Sequence, residues 1–518
     1  MVAPRRSDPL TQRYSRRRTL VPGEPNIDSP ENRLAGLNAK RFPRAEASSR
    51  RKFGYNLGHA IHRPLTKEAH RVSAQELPIA LDPILSTTQD VQAIQQSTIL
   101  SDRSFWGLLV TQFLGAFNDN LYKQLMLLMA ISAVGGKLSE DTQGWAAALF
   151  SLPFVLFSSF AGYLSDKHSK SRIIFICKVA EIVITLLAVA AFLVYGRLGD
   201  WGTWSVLLLM GIHSTFFGPA KYGILPELFA KRELPRANGL ILMSTFLAII
   251  LGVVAAGFLK DVLTITDADG SANYRNLWIS SLVCTGIAVM GTITSFFIRS
   301  TRPAQPAAAI SWGDFGISTP IRKLLWDDKP LLAAVVVSSM FYIVAGVVMP
   351  TVNSLGKGQL KIDSDTLTSI LTGGLAIGII LGAVLANVVL KKVSATKQVL
   401  IGTIGMLLAL IALGIWKPGG VHLLGYWGAL AGLIVMGMFA AVFIIPIQVF
   451  MQQRPPAETK GRMIGTMNFA NFVGILIAGP LYQLFLNVAN YLGWPVSSVF
   501  WMLAVLLLPL VVRYRLPS

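Results

Sequence analysis

Residues 113–124 read FLGAFNDNLYKQ and set Asn118, Asp119, Asn120 and Lys123 deep in an apolar run. A charge at that depth in hydrocarbon is costly unless it is paired or faces water, so such residues mark ion or substrate paths. Residues three or four apart share a helix face, which makes Gln112, Ala116, Asp119 and Lys123 one stripe. Phe113, Phe117 and Leu121 lie largely elsewhere. Asp119 precedes Lys123 by four, the better order for an ion pair within one helix. By helical rise Asp119 sits about 21 Å beyond residue 105, where the run begins. A carboxylate there can exchange a proton, hold Na⁺, or meet a cationic group of a cargo.

FFGPAKYGILPEL, residues 216–228, carries a second set. Pro219 removes a backbone donor and bends the helix, and Gly218 and Gly223 permit close packing. Lys221 is then a cation within or near the end of a span. It can bind an anionic group of a substrate, pair with Asp119 or Glu227, or snorkel to the interface. His213 reads as a packing or water-facing residue, with no second His at metal spacing. Lys178 and Glu181, three apart, can pair and read as structural. Asn468 and Asn471 share one face of a later run and can line a cavity, and Arg236 and Arg462 suit helix ends at an interface.

The elements that must position these residues are membrane helices. The chain has 518 residues, 53% hydrophobic and only 14% charged, with a mean hydropathy of +0.55. A soluble protein is roughly 25% charged, so this composition excludes a soluble enzyme. Apolar runs fall near 105–134, 143–164, 173–195, 204–228, 237–260, 276–298, 331–352, 366–390, 398–415, 421–449, 462–486 and 496–512. They are long enough to cross a bilayer as helices and too apolar for barrel strands. The expectation is an all-α membrane protein of twelve transmembrane helices in two six-helix halves.

Charge sets the orientation. With the N-terminus inside, the inner loops and C-terminus carry nineteen Lys and Arg against seven in the outer loops, which puts both termini in the cytoplasm. The formal charge of +19 therefore reflects loops facing anionic lipid and not nucleic-acid binding. Cys177 and Cys284 both fall in spans and read as small packing residues, with no disulfide framework or metal pair.

Residues 1–100 form a basic extension with no long apolar run, expected to be disordered, and hold 16 Lys and Arg against 9 Asp and Glu. No signal peptide opens the chain. Two readings stand: a cytoplasmic tail touching anionic lipid, or an overcalled translation start, since no Met occurs between Met1 and Met126. Residues 101–298 then form the first half, 299–330, with RSTRPAQPAAA, a cytoplasmic linker, and 331–518 the second half. Internal offsets support this division. Arg236-x-x-Gly239 recurs as Arg462-x-x-Gly465, Pro219 as Pro446 and the Lys167 loop as Lys392, at spacings of 226, 227 and 225 residues. Nearly equal offsets are what two parallel-repeat halves produce.

GYLSDKHSKSR, residues 162–172, resembles the G-x-x-x-D-[RK]-x-x-x-[RK] signature of the major facilitator superfamily. The resemblance implies a gating role for Gly162, Asp166, Lys167, Lys170 and Arg172, which would hold the two halves together in the outward-facing state. Its second-half counterpart, LKKVSATK, lacks the acid. FLGAFNDNLYK, followed about a hundred residues later by FFGPAKYGILPEL, resembles the lysophospholipid transporter family of bacterial inner membranes. That resemblance implies alternating access without cofactor or metal, a lipid or small amphipathic cargo, and a proton or Na⁺ as a possible coupling ion. It implies Asp119, Asn120 and Lys221 at the site; the polar stripe adds Asn118 and Lys123 as substrate- or ion-binding candidates, and a monomer is expected. Some relatives carry a fused acyltransferase with His-x-x-x-x-Asp, but none of the six histidines here has Asp five residues on. No Walker loop occurs, so the chain reads as a transporter and not an enzyme. The alternative cargo on the same fold is a small amphipathic compound or drug, exported in exchange for protons. A non-transporting scaffold or sensor is the reading from another class.

Overall fold

The computed structural model describes residues 99–131, 141–230, 232–267, 272–303, 317, 319–456, 460–514 and 516. Residues 1–98 of the basic extension, and 304–316 and 318 of the linker expected at 299–330, lie outside these residues.

Among the described residues twelve long helices follow one another: α1 Arg103–Met129, α2 Gln143–Lys167, α3 Lys170–Leu193, α4 Asp200–Gly223, α5 Leu234–Leu263, α6 Trp278–Ser295, α7 Lys329–Ser354, α8 Asp365–Val384, α9 Ala395–Leu413, α10 Gly425–Gln453, α11 Lys460–Tyr491 and α12 Ser498–Arg513. Among the described residues nine helices are long and apolar enough to cross a membrane. The other three are α12, which is shorter, and α1 and α4, which reach spanning length but carry more polar residues. Those two hold the Asn-Asp-Asn run and Lys221. Backbone groups in lipid have no water to bond, so each run closes its own hydrogen bonds as a helix.

Successive helices alternate in direction. One end of the bundle, here the basic end, carries the α2–α3, α4–α5 and α10–α11 loops, and the other is the far end. Side chains start several helices. Asp102 accepts from Ser104 N at 2.7 Å and Ser364 from Leu367 N at 3.2 Å. At the far end, a two-residue hairpin pairs Ile265 with Asn273 between α5 and α6.

The apolar cores divide by half. One cluster runs from Ile321 to Leu516, including Phe443, Tyr482 and Phe500. Two others lie wholly within residues 99–298. The halves meet where α2 packs on α11 and α5 on α8.

Asp328 shows how a helix end is held. It caps α7 through Leu331 N at 3.2 Å and accepts from Arg454 Nε, at the end of α10, at 2.5 Å. The Arg454 guanidinium holds the Asp328 carboxyl below the usual carboxylate range. A lowered folded value stabilises above the unfolded carboxylate range, and that contribution fades as pH falls through the folded value. Asp328→Ala is expected to cost about 1 kcal/mol, the usual worth of a cap, because the ion pair at this exposed position adds little. Thermal unfolding of the purified protein should show the difference near neutral pH and not in strong acid.

Candidate functional site

The side chains of FNDN in α1 diverge. Asn118 is fully buried and donates from Nδ2 to Glu181 Oε1 at 2.8 Å and to the Cys284 carbonyl at 2.9 Å. Asn120 turns back onto its own helix and bonds the Ala116 carbonyl at 2.8 Å. Asp119 Oδ2 accepts from Ser214 Oγ of α4 at 2.5 Å, while Oδ1 is buried without a hydrogen-bond partner.

Neither expected ion pair of Asp119 forms. Lys123, half-buried, lies over the Phe150 ring at 5.5 Å. Lys221 lies against Phe217 at 5.8 Å and Tyr222 at 4.9 Å. Among the described residues neither ammonium comes within 4 Å of a carboxylate. Lys221 stands seven residues beyond Ser214, roughly 10 Å further along α4, and that rise removes it from Asp119. Glu227, its other possible partner, pairs with Lys170 instead.

Next to Asn118 lies a buried charge cluster that local reading had treated as separate parts. Lys178 and Glu181 of α3 form an ion pair with both side chains excluded from solvent. His213 Nε2 of α4 stands 3.6 Å from Glu181 Oε2, and the ring stacks on Phe217. Lys178 fits a slot between helices: a Cβ on Gly115 would lie 3.0 Å from its Nζ, and one on Gly291 would lie 2.6 Å from its Cε. The signal was present as two ionisable residues three apart in an apolar run, facing glycines in neighbouring spans. What a linear reading lacked was the helix rotation that joins them to Asn118.

Lys167 and Lys170 of GYLSDKHSKSR have partners within the first half. Lys170 is buried, pairs with Glu227 just past α4 and lies 4.0 Å from Asp166. Lys167 donates to the Tyr163 hydroxyl at 2.9 Å, and Arg172 is exposed. A Cβ on Gly162 or on Gly465 of α11 would meet nothing within 4 Å. Gly162 therefore makes no close helix approach in this structure.

The far end is the opposite. Asp141 Oδ2 accepts from Ser354 Oγ at 2.5 Å, Tyr482 OH at 2.7 Å and Gln143 Nε2 at 3.0 Å, which joins α2, α7 and α11. Asn353 donates to Gln143 and accepts from Gln124 of α1, both at 2.9 Å. Asp365 of α8 pairs with Lys260 of α5 and with Lys357, each at 2.7 Å. Asp261 of α5 accepts from the Asp365 and Thr366 amides at 2.6 and 2.8 Å, a carboxylate placed where the N-terminus of α8 favours negative charge. Gly144 and Gly479 bring α2 and α11 into backbone contact, since a Cβ on either would overlap the other's carbonyl oxygen. The halves are thus joined at the far end, with Gly162 and Gly465 clear of neighbours at the basic end.

An apolar groove of about 530 Å³ opens between α2, α4 and α11, lined by Trp145, Leu149, Leu152, Trp201, Trp204 and Leu476 among others. Its α4 wall ends at Leu208. Ser214, the partner of Asp119, follows six residues later, roughly 9 Å along the helix.

Among the described residues, membrane-length helices in two halves that pack α2 on α11 and α5 on α8 and are bonded across the far end suit the class of a membrane transporter. Residues 108–480 match the family model described as Major Facilitator Superfamily, and residues 364–517 match it again. The chain belongs to the major facilitator superfamily. It is similar to proteins named lysophospholipid transporter LplT from Yersinia pestis (strain Pestoides F) and Yersinia pseudotuberculosis serotype IB (strain PB1/+). Each is 27% identical over 429 residues, which is 80% of this chain and 92% of theirs. Among solved structures it is similar to a point mutant of the nucleoside transporter NupG, with TM-score 0.58 and 14% identity over 78% of this chain and 98% of that one. A POT family transporter in complex with a thioalcohol conjugated peptide gives TM-score 0.60 and 13% identity over 79% and 95%. At these identities the likeness to the two structures shows the fold alone.

Proposed function

We infer that the chain moves lysophospholipids, or single-chain amphiphiles like them, across a bacterial inner membrane by alternating access. The observation that carries this reading is the course of α4. One helix lines an apolar, Trp-bearing groove and then presents Ser214 to Asp119. An amphiphile needs that pairing of an apolar trough with a polar site at depth. The acyl chain occupies the groove and a polar group of the head meets the free Oδ1 of Asp119. With the basic end in the cytoplasm, the joined far end makes this the inward-facing state. The name of the LplT relatives agrees with this cargo class.

The test is inward movement of labelled lysophosphatidylethanolamine into proteoliposomes or spheroplasts. Asp119→Ala is expected to reduce the rate on the order of tenfold or more, the worth of one charge-assisted contact, with folding checked by gel filtration. Movement no faster than that of the Asp119→Ala variant overturns the lipid reading. Efflux of an amphipathic drug that depends on Asp119 would support the exporter reading in its place.

A further inference from the structure

We propose that the short helix Thr319–Asp327, just before α7, is a membrane-surface helix that binds anionic phospholipid of the inner leaflet through Arg322, Lys323 and Lys329. This contact lies outside the transport path and does not depend on the cargo. It rests on the transporter reading only in placing the basic end at the cytoplasmic face.

The sequence TPIRKLLWD sets apolar and basic residues on opposite faces of this helix. Ile321 and Leu325, four apart, are buried and belong to the apolar core of the second half. The helix packs on α7 and α11. Its nine residues are fewer than an isolated helix needs in water, so this burial holds it folded. Arg322, Lys323 and Trp326 are exposed on the other side. Lys329, the first residue of α7, is also exposed and lies over the Trp326 ring at 4.6 Å. Between the two helices Asp328 has φ −105° and ψ 83°, outside the helical range, so the short helix is not an extension of α7.

Depth follows from length. α7 has 26 residues, about 39 Å by helical rise, against a hydrocarbon core of about 30 Å. With α7 centred in the bilayer, Lys329 reaches the headgroup layer and Trp326 stands there with it. Tryptophan favours that layer, where an apolar ring and a polar N–H are both accommodated. The charges favour an anionic partner. Among the described residues no carboxylate lies within 4 Å of Arg322, Lys323 or Lys329. Asp328 is taken by Arg454, which leaves Asp327 as the exposed acid of this segment. Asp327 closes its helix and Lys329 opens α7, each the reverse of what the helix dipole favours, so neither charge serves its own helix. A basic amphipathic helix bearing an exposed aromatic ring is the pattern of a membrane-surface helix. Each Lys or Arg at such a surface favours anionic lipid by about fivefold.

Spin-labelled lipids test this with the full chain reconstituted in phosphatidylcholine vesicles. Labelled phosphatidylglycerol should associate with the protein more strongly than labelled phosphatidylcholine, and salt should shrink the difference. Arg322→Gln, Lys323→Gln and Lys329→Gln together should cut that preference roughly tenfold or more. Lys391→Gln, Lys392→Gln and Lys397→Gln remove the same charge from exposed positions at the same end of the second half and should cost far less. An unchanged preference in the first triple variant overturns the proposal. So does an equal loss in both, which would reduce the effect to overall charge. Thermal unfolding in phosphatidylcholine alone checks that the fold survives. Should the first triple variant unfold, Arg322→Gln alone decides: a loss of about fivefold supports the helix, and none overturns it.

Discussion

Glu181→Ala is expected to be the most damaging single truncation in the first half, costing about 3–5 kcal/mol, the usual penalty for removing one partner of a buried ion pair. The Lys178 side chain is fully buried, its ammonium wedged beside Gly115 and Gly291 and over the Phe217 ring at 5.8 Å. Without Glu181 that ammonium keeps an aromatic face but no anion, and Asn118 loses one of its two acceptors. Replacing both partners removes the unpaired charge, so Lys178→Met with Glu181→Leu should recover most of the loss. Thermal unfolding of the purified protein, followed by gel filtration, measures both. A single variant as stable as wild type would mean that water reaches the pair, and the burial argument would fail.

Gly144→Leu is expected to have the largest effect on conformation. In the far-end-closed state a Cβ at Gly144 would overlap the Gly479 carbonyl oxygen and stand 3.1 Å from Tyr482 Cδ1. Overpacking of this kind typically costs about 1–3 kcal/mol. The cost falls on the closed state alone, because rocking α2 away from α11 relieves it. A bias of about 1–3 kcal/mol moves a two-state equilibrium by roughly 5–150-fold. Spin labels at Arg197→Cys and Tyr491→Cys, both exposed far-end positions on different halves, report the distance, and the native Cys177 and Cys284 are buried. The variant should populate longer distances and transport more slowly. An unchanged distance distribution would show that this close approach does not hold the ends together.

Much of the architecture was legible in one dimension. Among the described residues each of the twelve apolar runs falls on a long helix, because a segment in hydrocarbon must satisfy its backbone within itself. Ends shifted where local chemistry intervened. The run at 105–134 ends as a helix at Met129, and the run at 204–228 is α4 to Gly223 plus a separate turn, Leu225–Leu228, opened by Pro226. α11 continues to Tyr491, past the expected 486. Pro480 sits inside it, which bends a helix without ending it when neighbouring groups take up the freed backbone bonds.

The site was legible as residue types and not as partners. The four-residue order of Asp119 and Lys123 favours a local pair, yet Ser214 of α4 takes the carboxylate and Lys123 turns to Phe150. Lys178 and Glu181 did pair as their spacing allows. Their meeting with Asn118 and His213 depends on how α1, α3 and α4 are rotated about their own axes, which no spacing within one helix encodes. Asp141 carried no sequence signal, since its partners Ser354 and Tyr482 lie more than 200 residues away.

The sequence by itself therefore determined the membrane class, the run of helices and the few polar residues set in them, because hydrophobic length and internal backbone bonding are local requirements. Only the tertiary structure decided which of those polar residues meet and which end of the bundle is joined. Those depend on helix rotation and on backbone approach at single glycines such as Gly144 and Gly479, and both are properties of packed pairs of helices.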